Sequence, residues 1–204
     1  MAELAWSSAQ ERTGGRAPGG TLLDVAGLRA RVVDAAQTIV ACHLAPGLGA
    51  PPRALQDAVA AVTGHALALA PNTRSGDDDA YAVWLDPARW LVVGTMAQRW
   101  SRLRALQLAV TTASPEAMAS DATDALVMID IAGARAPALM AMASALDFDS
   151  AVFAPPRTAR GAFAGVSTVL YRHGDGFRVH ADATLIAHVG AWLEQAARLL
   201  PRGQ

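Results

Sequence analysis

Ala80-Tyr81-Ala82-Val83-Trp84-Leu85, then Asp86-Pro87-Ala88-Arg89, then Trp90-Leu91-Val92-Val93 is the stretch on which the fold turns. Both apolar runs have the length and the aromatic and β-branched content of strands. In the four residues between them, Pro87 falls at the second turn position and presets φ. A hairpin is predicted. Two strands alone cannot bury a face, so the flanking sequence has to supply cover.

Upstream, Thr38 to Cys42 is a short apolar run of strand type. Pro51-Pro52 suits a helix start, Leu55, Ala58, Val59 and Val62 share one helical face, and Gly64 ends the pattern. Downstream, a helix from about Met96 puts Met96, Trp100, Leu103, Leu106 and Val110 on one stripe, with Gln98, Arg99 and Arg102 turned to water. The first half therefore reads β-α-β-β-α.

The same order recurs. Leu126 to Ile131 reads as a strand, followed by Gly133 and a helix with Pro137 in its first turn and Leu139, Met140, Ala143 and Leu146 buried. A second hairpin joins Val166–Tyr171 to Phe177–His180 through His173-Gly174-Asp175-Gly176. The last helix carries Leu185, Val189, Trp192, Leu193, Ala196 and Leu200, with Asp182 or Thr184 as cap and Pro201 closing it. The two hairpin turns start 87 residues apart, at Asp86 and His173. The expectation is an α+β fold made of a duplicated β-α-β-β-α unit. The pseudo-repeats span about 36–112 and 120–200 of a single domain, 21–204, behind a flexible arm, 1–20, that ends in Ala17-Pro18-Gly19-Gly20.

The 204 residues suffice for one good core, and they are 52% hydrophobic but only 17% charged, against about 25% charged in typical domains. Either Ala replaces larger core residues, or part of the surface is covered by partner chains. A net charge of −1 supplies no basic field for nucleic acid or anionic lipid. Cys42 is the single cysteine, which excludes an internal disulfide and multi-Cys metal sites and suits a reducing cytoplasm. The N-terminal stretch, with Glu3 and Glu11 and no apolar run, reads as neither secretory signal nor anchor.

A catalytic centre needs convergent groups of contrasting pKa. Cys42 and His43 are adjacent strand residues and point to opposite faces. His173, His180 and His188 lack zinc-motif spacing and read as surface or cap residues. Asp77-Asp78-Asp79 reads as a solvated turn, and Arg99, Arg102 and Arg104 as solvating a helix. Gly14-Gly15 and Gly19-Gly20 lack the strand-to-helix context of a dinucleotide loop. Asp121, Asp124 and Asp130 flank one strand, so a general base there stays open, though nothing supplies the matching acid. No catalytic, cofactor-binding or metal residue is assigned. Trp84, Trp90, Trp100 and Trp192 are expected to anchor the core, one of them alternatively serving as an interface hot spot.

Several of these stretches resemble a known family. Ala70-Pro71-Asn72-Thr73 followed by Val83-Trp84-Leu85-Asp86-Pro87-Ala88-Arg89-Trp90-Leu91-Val92 is similar to the Pro-Asn segment and the Leu-Gly-Pro-Asp-Glu-Trp-Leu hairpin of the gamma subunit of heterotetrameric sarcosine oxidase. Asp124 to Leu126, Ile131 to Ala136, Leu146-Asp147, Phe153-Ala154-Pro155-Pro156, and Phe177-Arg178-Val179 through Trp192-Leu193 continue the likeness over about residues 21–200. The chain departs from the family at the Asp86–Arg89 turn, at Gly133-Ala134 and at Pro155-Pro156.

The resemblance implies the fold of the folate-binding domain of glycine-cleavage aminomethyltransferase, and a non-catalytic structural subunit without a cofactor of its own. It implies an alpha chain with NAD and tetrahydrofolate sites, a flavin-bearing beta chain, FAD and FMN between them, and a small zinc-binding delta chain. Such a complex demethylates sarcosine oxidatively and passes the one-carbon unit to folate. A paralogous complex acting on N-methylglutamate would look alike from this chain. The competing expectations are an independent tetrahydrofolate enzyme using Asp130 as base, and a homodimeric binding module.

Overall fold

The computed structural model describes residues 20–44 and 50–200. The N-terminal arm expected over 1–20 lies outside them except for Gly20, as does the closing Pro201. Among the described residues, eleven strands form two antiparallel sheets.

The strands are β1 (Thr21–Val25), β2 (Leu28–Val33), β3 (Ala36–Cys42), β4 (Arg74–Gly76), β5 (Tyr81–Asp86), β6 (Arg89–Gly94), β7 (Ala117–Asp121), β8 (Leu126–Ala132), β9 (Thr158–Phe163), β10 (Val166–His173) and β11 (Gly176–Asp182). The helices are α1 (Arg53–Thr63), α2 (Arg99–Ala113), α3 (Ala136–Ala143) and α4 (Ile186–Leu199). The first sheet runs β4-β5-β6-β3-β7 and the second β1-β2-β8-β11-β10-β9.

The duplication is visible in these orders. β3-β6-β5-β4 and β8-β11-β10-β9 are the same path traced twice, each with its first helix after the first strand and its second helix after the last. The expected hairpins are β5–β6 and β10–β11, with Asp86 opposite Arg89 and His173 opposite Gly176. Each repeat also holds one more strand than the sequence patterns suggest, β4 and β9.

A further exchange ties the halves. β2, which precedes the first repeat, lies in the second sheet beside β8, while β7, which precedes the second repeat, lies in the first sheet beside β3. Neither repeat has a complete sheet without a strand from outside it.

Side chains alternate across the pleat, so each sheet has two faces to bury. Val40, Cys42, Ala82, Trp90 and Val92 face α1 and α2, meeting Leu55, Val59, Leu106 and Val110. Val127, Ile129, Ile131, Phe177 and Val179 face α3 and α4, meeting Leu139, Met140, Val189 and Leu193. The inner faces meet through Tyr81, Val83, Leu91 and Val93 on one side and Met128, Val169 and Tyr171 on the other. Helices, sheet, sheet, helices is the layer order.

Local chemistry sets the element ends. Gly64 terminates α1 in the left-handed region at φ 83°. The Asp182 side chain accepts the Thr184 N–H before α4. At the other end of α4, Arg135 donates to the carbonyls of Ala197 and Leu200, groups that have no partner within the helix.

The stripe predicted for α2 is turned at its start. Leu103, Leu106 and Val110 are buried, but Met96 falls in a 3₁₀ turn, Trp100 is 47% exposed and Arg99 only 6%. The reason is electrostatic: the Arg99 guanidinium reaches Asp121 and Asp124 at the end of β7 and the link to β8, and Trp100 lies over it with the ring centroid 4.5 Å away. Leu146 lies beyond the end of α3, and Leu185 is 39% exposed rather than buried.

Candidate functional site

The chemistry of the molecule is concentrated between the sheets. Strands β8, β10 and β11 send Asp130, Tyr171, Arg178 and His180 inward at positions where neighbouring residues are apolar. Gln37 on β3 and Tyr81 on β5 answer from the other sheet.

The polarity of this network follows from its ends. Gln37 Nε2 donates to Leu126 O at 2.9 Å, so Gln37 Oε1 is the atom 2.7 Å from His180 Nδ1, and it can only accept. His180 therefore carries its proton on Nδ1. Burial, then the Arg178 charge, push its pKa down to about 3, so the ring is neutral and Nε2 accepts from the Tyr171 hydroxyl at 2.9 Å. The Tyr171 and Tyr81 oxygens lie 2.6 Å apart. With the Tyr171 proton committed to His180, that short contact takes the proton of Tyr81. Burial raises the pKa of both phenols, well above the ordinary value for Tyr171.

Arg178 closes the other end, and all five of its N–H groups have an acceptor. Nε and Nη2 grip the Asp130 carboxylate at 2.7 and 3.0 Å, Nη2 also reaches His173 Nε2 at 2.7 Å, and Nη1 is shared between Tyr81 Oη and Asp78 O, both at 3.3 Å. Burial alone would lower its pKa, but the Asp130 hydrogen bonds and charge outweigh that and hold it above the ordinary value. His173 must accept at Nε2, which leaves its proton on Nδ1, 3.5 Å from Asp78 Oδ1. Burial and the Arg178 charge lower its pKa.

Outside this layer, Arg31 approaches Asp130 at 3.7 Å, beside a cavity of about 320 Å³ that Arg29 and His173 also line. Arg74 stacks on both tyrosine rings at 5.7 and 5.6 Å.

Both Asp130 oxygens are engaged by Arg178, and both phenols are neutral. The arrangement can hold the sheets in register; as it stands it presents no free acid beside a free base.

The sequence candidates distribute as follows. His180 is 2% exposed and not a surface residue, a correction explained by its two hydrogen bonds inside the inter-sheet layer. His173 is partly buried and lines the cavity of about 320 Å³, and His188 on α4 bonds Ala164 O. Asp130 joins the network, whereas Asp121 and Asp124 pair with Arg99 at the start of α2. Burial opposes ionisation of Asp121, but hydrogen bonds from Arg99 and Thr123 prevail and lower its pKa. Arg102 donates to Val93 O and is half-buried rather than turned to water. Arg104 is exposed.

Cys42 is buried beneath the helices, where desolvation raises its pKa, and His43 is exposed on the far face. Asp77 accepts from the backbone of Asp79 and Ala80 in the expected turn. Trp90 is fully buried and donates to Ala68 O at 2.7 Å, while Trp84 and Trp192 are partly buried. Among the described residues no group of three or more His, Cys, Asp and Glu is placed to hold a metal ion, and no helix is long and apolar enough to cross a membrane.

The sequence matches no protein-family model and no curated protein. The structure is similar to a chain of heterotetrameric sarcosine oxidase from Corynebacterium sp. U-96, solved in complex with pyrrole 2-carboxylate, at TM-score 0.77 and 19% identity, covering 98% of each chain. It is also similar to glycine cleavage system aminomethyltransferase T from Bartonella henselae at TM-score 0.55 and 14% identity, covering 81% of this chain and 44% of that one. The fold, mixed α+β with two antiparallel sheets, is thus one that this chain shares with a whole chain of a heterotetrameric sarcosine oxidase and with part of an aminomethyltransferase.

Proposed function

We propose that this chain is a gamma-type structural subunit of a sarcosine oxidase-type complex and carries neither catalytic residues nor a cofactor of its own. The observation that carries the reading is mutual coverage of 98% with one chain of a heterotetramer, so the likeness extends over a complete subunit and not over a borrowed module. The saturated Arg178 and Asp130 support it, because the polar groups between the sheets are used to hold the protein together. The low charged content, 17%, suits a surface partly covered by other chains.

In this reading the alpha, beta and delta partners hold NAD, tetrahydrofolate, flavin and zinc. The complex works in the cytoplasm on sarcosine or a related N-methyl amino acid such as N-methylglutamate. Purifying the tagged chain from its host tests the proposal. Flavin-bearing chains in fixed stoichiometry, with sarcosine or N-methylglutamate oxidation in the same fraction, are the expected result. A chain that purifies without flavin partners and binds tetrahydrofolate one to one overturns it in favour of an independent folate protein.

A further inference from the structure

Strand β2 carries two arginines on one face, with Arg31 opposite Asp130 and Arg29 opposite Ala132 on β8. One strand further on, Arg178 of β11 stands opposite Asp130. In the row Arg31, Asp130, Arg178, two guanidinium groups compete for one carboxyl group. Arg178 takes both of its oxygens at 2.7 and 3.0 Å, which leaves Arg31 at 3.7 Å, beyond hydrogen-bond length. In the neighbouring row the small Ala132 side chain fills little space beside Arg29. A cavity of about 320 Å³ lies here, lined by Arg29, Arg31, Asp130 and Ala132 together with His173 and Asp175 of the β10–β11 turn.

Arg29 is uncommitted as well. Its ion-pair partner Asp24 is 3.6 Å from Nε, again beyond hydrogen-bond length, and does not line the cavity. Among the described residues, then, neither guanidinium donates a hydrogen bond, although each offers a rigid fork of donors suited to a planar oxyanion. Both side chains are more than half exposed, so a solute can reach them. Alternate residues of a strand are about 7 Å apart, a span that two arginine side chains can close on one carboxylate. In formal charges the corner sets Arg29, Arg31 and Arg178 against Asp130 and Asp175, a surplus of one positive charge. That suits a single carboxylate better than a phosphate dianion.

We infer that this cavity binds a small organic carboxylate, gripped by the Arg31 fork and by Arg29 from two residues away on the same strand face. A cavity of this volume falls at the lower end of the range for small-molecule sites. The site lies within this chain and does not depend on assembly with other chains.

The test titrates the full chain, isotope-labelled for NMR, with propionate against chloride at constant ionic strength. Saturable shifts confined to Arg29, Arg31, Ala132 and the turn from His173 to Asp175 are the expected result. Arg31→Ala should weaken binding about tenfold and Arg29→Ala about threefold. Arg31→Lys, which keeps the charge and loses the fork, should weaken it about threefold. Arg53→Ala, which removes an equal charge from the exposed pair with Asp57 on α1, leaves it unchanged. Inorganic phosphate should bind the same residues more weakly than propionate.

Shifts that are absent, that rise without saturating, that spread over the surface, or that survive Arg31→Ala overturn the inference. Equal weakening by Arg53→Ala reduces the effect to general screening and overturns it too, and tighter binding of phosphate than of propionate overturns the carboxylate assignment. Should Arg31→Ala fail to fold, the two anions titrated into the unaltered chain still decide. None of these results depends on whether flavin-bearing chains associate, so the subunit reading stands or falls separately.

Discussion

His180 Nδ1 lies 2.7 Å from Gln37 Oε1, a hydrogen bond that joins residues 143 positions apart and crosses from one sheet to the other. The neutral ring it requires has a measurable consequence. Free histidine titrates near 6.5, whereas burial and Arg178 push this group down to about 3. Its folded pKa is depressed, so its contribution is present above pH 6.5 and is lost as pH falls from there toward about 3, where the unfolded chain takes up a proton and the folded one does not. At pH 5 the loss is about 2 kcal/mol. Urea titrations of the wild type and His180→Gln at pH 7.5 and pH 5 read it: the wild type should lose about 2 kcal/mol more than the variant across that interval. Equal losses would show that the imidazole is not buried neutral.

Replacing Tyr171 by Phe removes the hydroxyl between His180 and Tyr81 without changing packing volume. Two buried polar groups lose a partner, so a cost of about 2–3 kcal/mol is expected. Tyr81→Phe should cost a similar amount, and the double variant clearly less than the sum, because the second change removes a group already orphaned. Chemical denaturation of the three variants provides the cycle.

The reversal at the start of α2 makes a comparison between tryptophans informative. Trp90 is fully buried with its indole N–H bonded, and Trp90→Ala should cost about 3–5 kcal/mol. Trp100 is 47% exposed, and Trp100→Ala should cost about 1 kcal/mol, mostly its stacking on Arg99. Arg99→Ala should be worse than Trp100→Ala, at about 2–3 kcal/mol, because Asp121 and Asp124 would face each other uncompensated. Thermal melts under one buffer condition rank the three.

The same residues mark where sequence is informative and where it is not. Hairpins β5–β6 and β10–β11 are legible because their turns carry proline or glycine between apolar runs, and duplication follows from the constant spacing of those landmarks. β1 and β2 lie outside the repeated unit, so the duplication gives no hint of them, although Leu28-Arg29-Ala30-Arg31-Val32 alternates with period two. Periodicity exchanges Arg99 and Trp100 because it counts apolar residues and cannot see Asp121 and Asp124 arriving from another strand. The inter-sheet network is hidden for the same reason. Its one local signal is the pair Arg178 and His180, polar residues alternating with Phe177, Val179 and Ala181 on a strand, a pattern that marks a face neither solvated nor wholly apolar.

Glycine positions separate conformation from crowding. Gly174 sits at φ 56°, and a Cβ there would meet no other atom within 4 Å, so Gly174→Ala should cost about 1 kcal/mol, the left-handed backbone alone. Gly133 sits at φ 112°, and a Cβ there would lie 2.5 Å from Gly27 O in the β1–β2 turn. Gly133→Ala should therefore cost about 3 kcal/mol or more and loosen β1, visible as faster hydrogen exchange at Thr21–Val25.

Arg178 gives the sharpest separation of structural from chemical roles. Its five N–H groups bind Asp130, His173, Asp78 and Tyr81, and a lysine at the same place has three donors in a different geometry and cannot grip both Asp130 oxygens. Arg178→Lys should then destabilise by about 2–3 kcal/mol, and Arg178→Met by about 3–5 kcal/mol because the Asp130 side chain loses both of its Arg178 hydrogen bonds and keeps only the exposed Arg31 near it. Adding Asp130→Leu to Arg178→Met removes the partnerless carboxyl group and should recover a large part of the loss, as apolar replacements of buried ion pairs do. The functional reading makes a further demand on the same series. If the network only supports the fold, the oxidation rate of the assembled complex follows the amount of assembled chain across all three variants, and the rate per complex is constant. A drop in rate per complex in the recovered double variant, with assembly intact, would mean that Arg178 or Asp130 takes part in the chemistry.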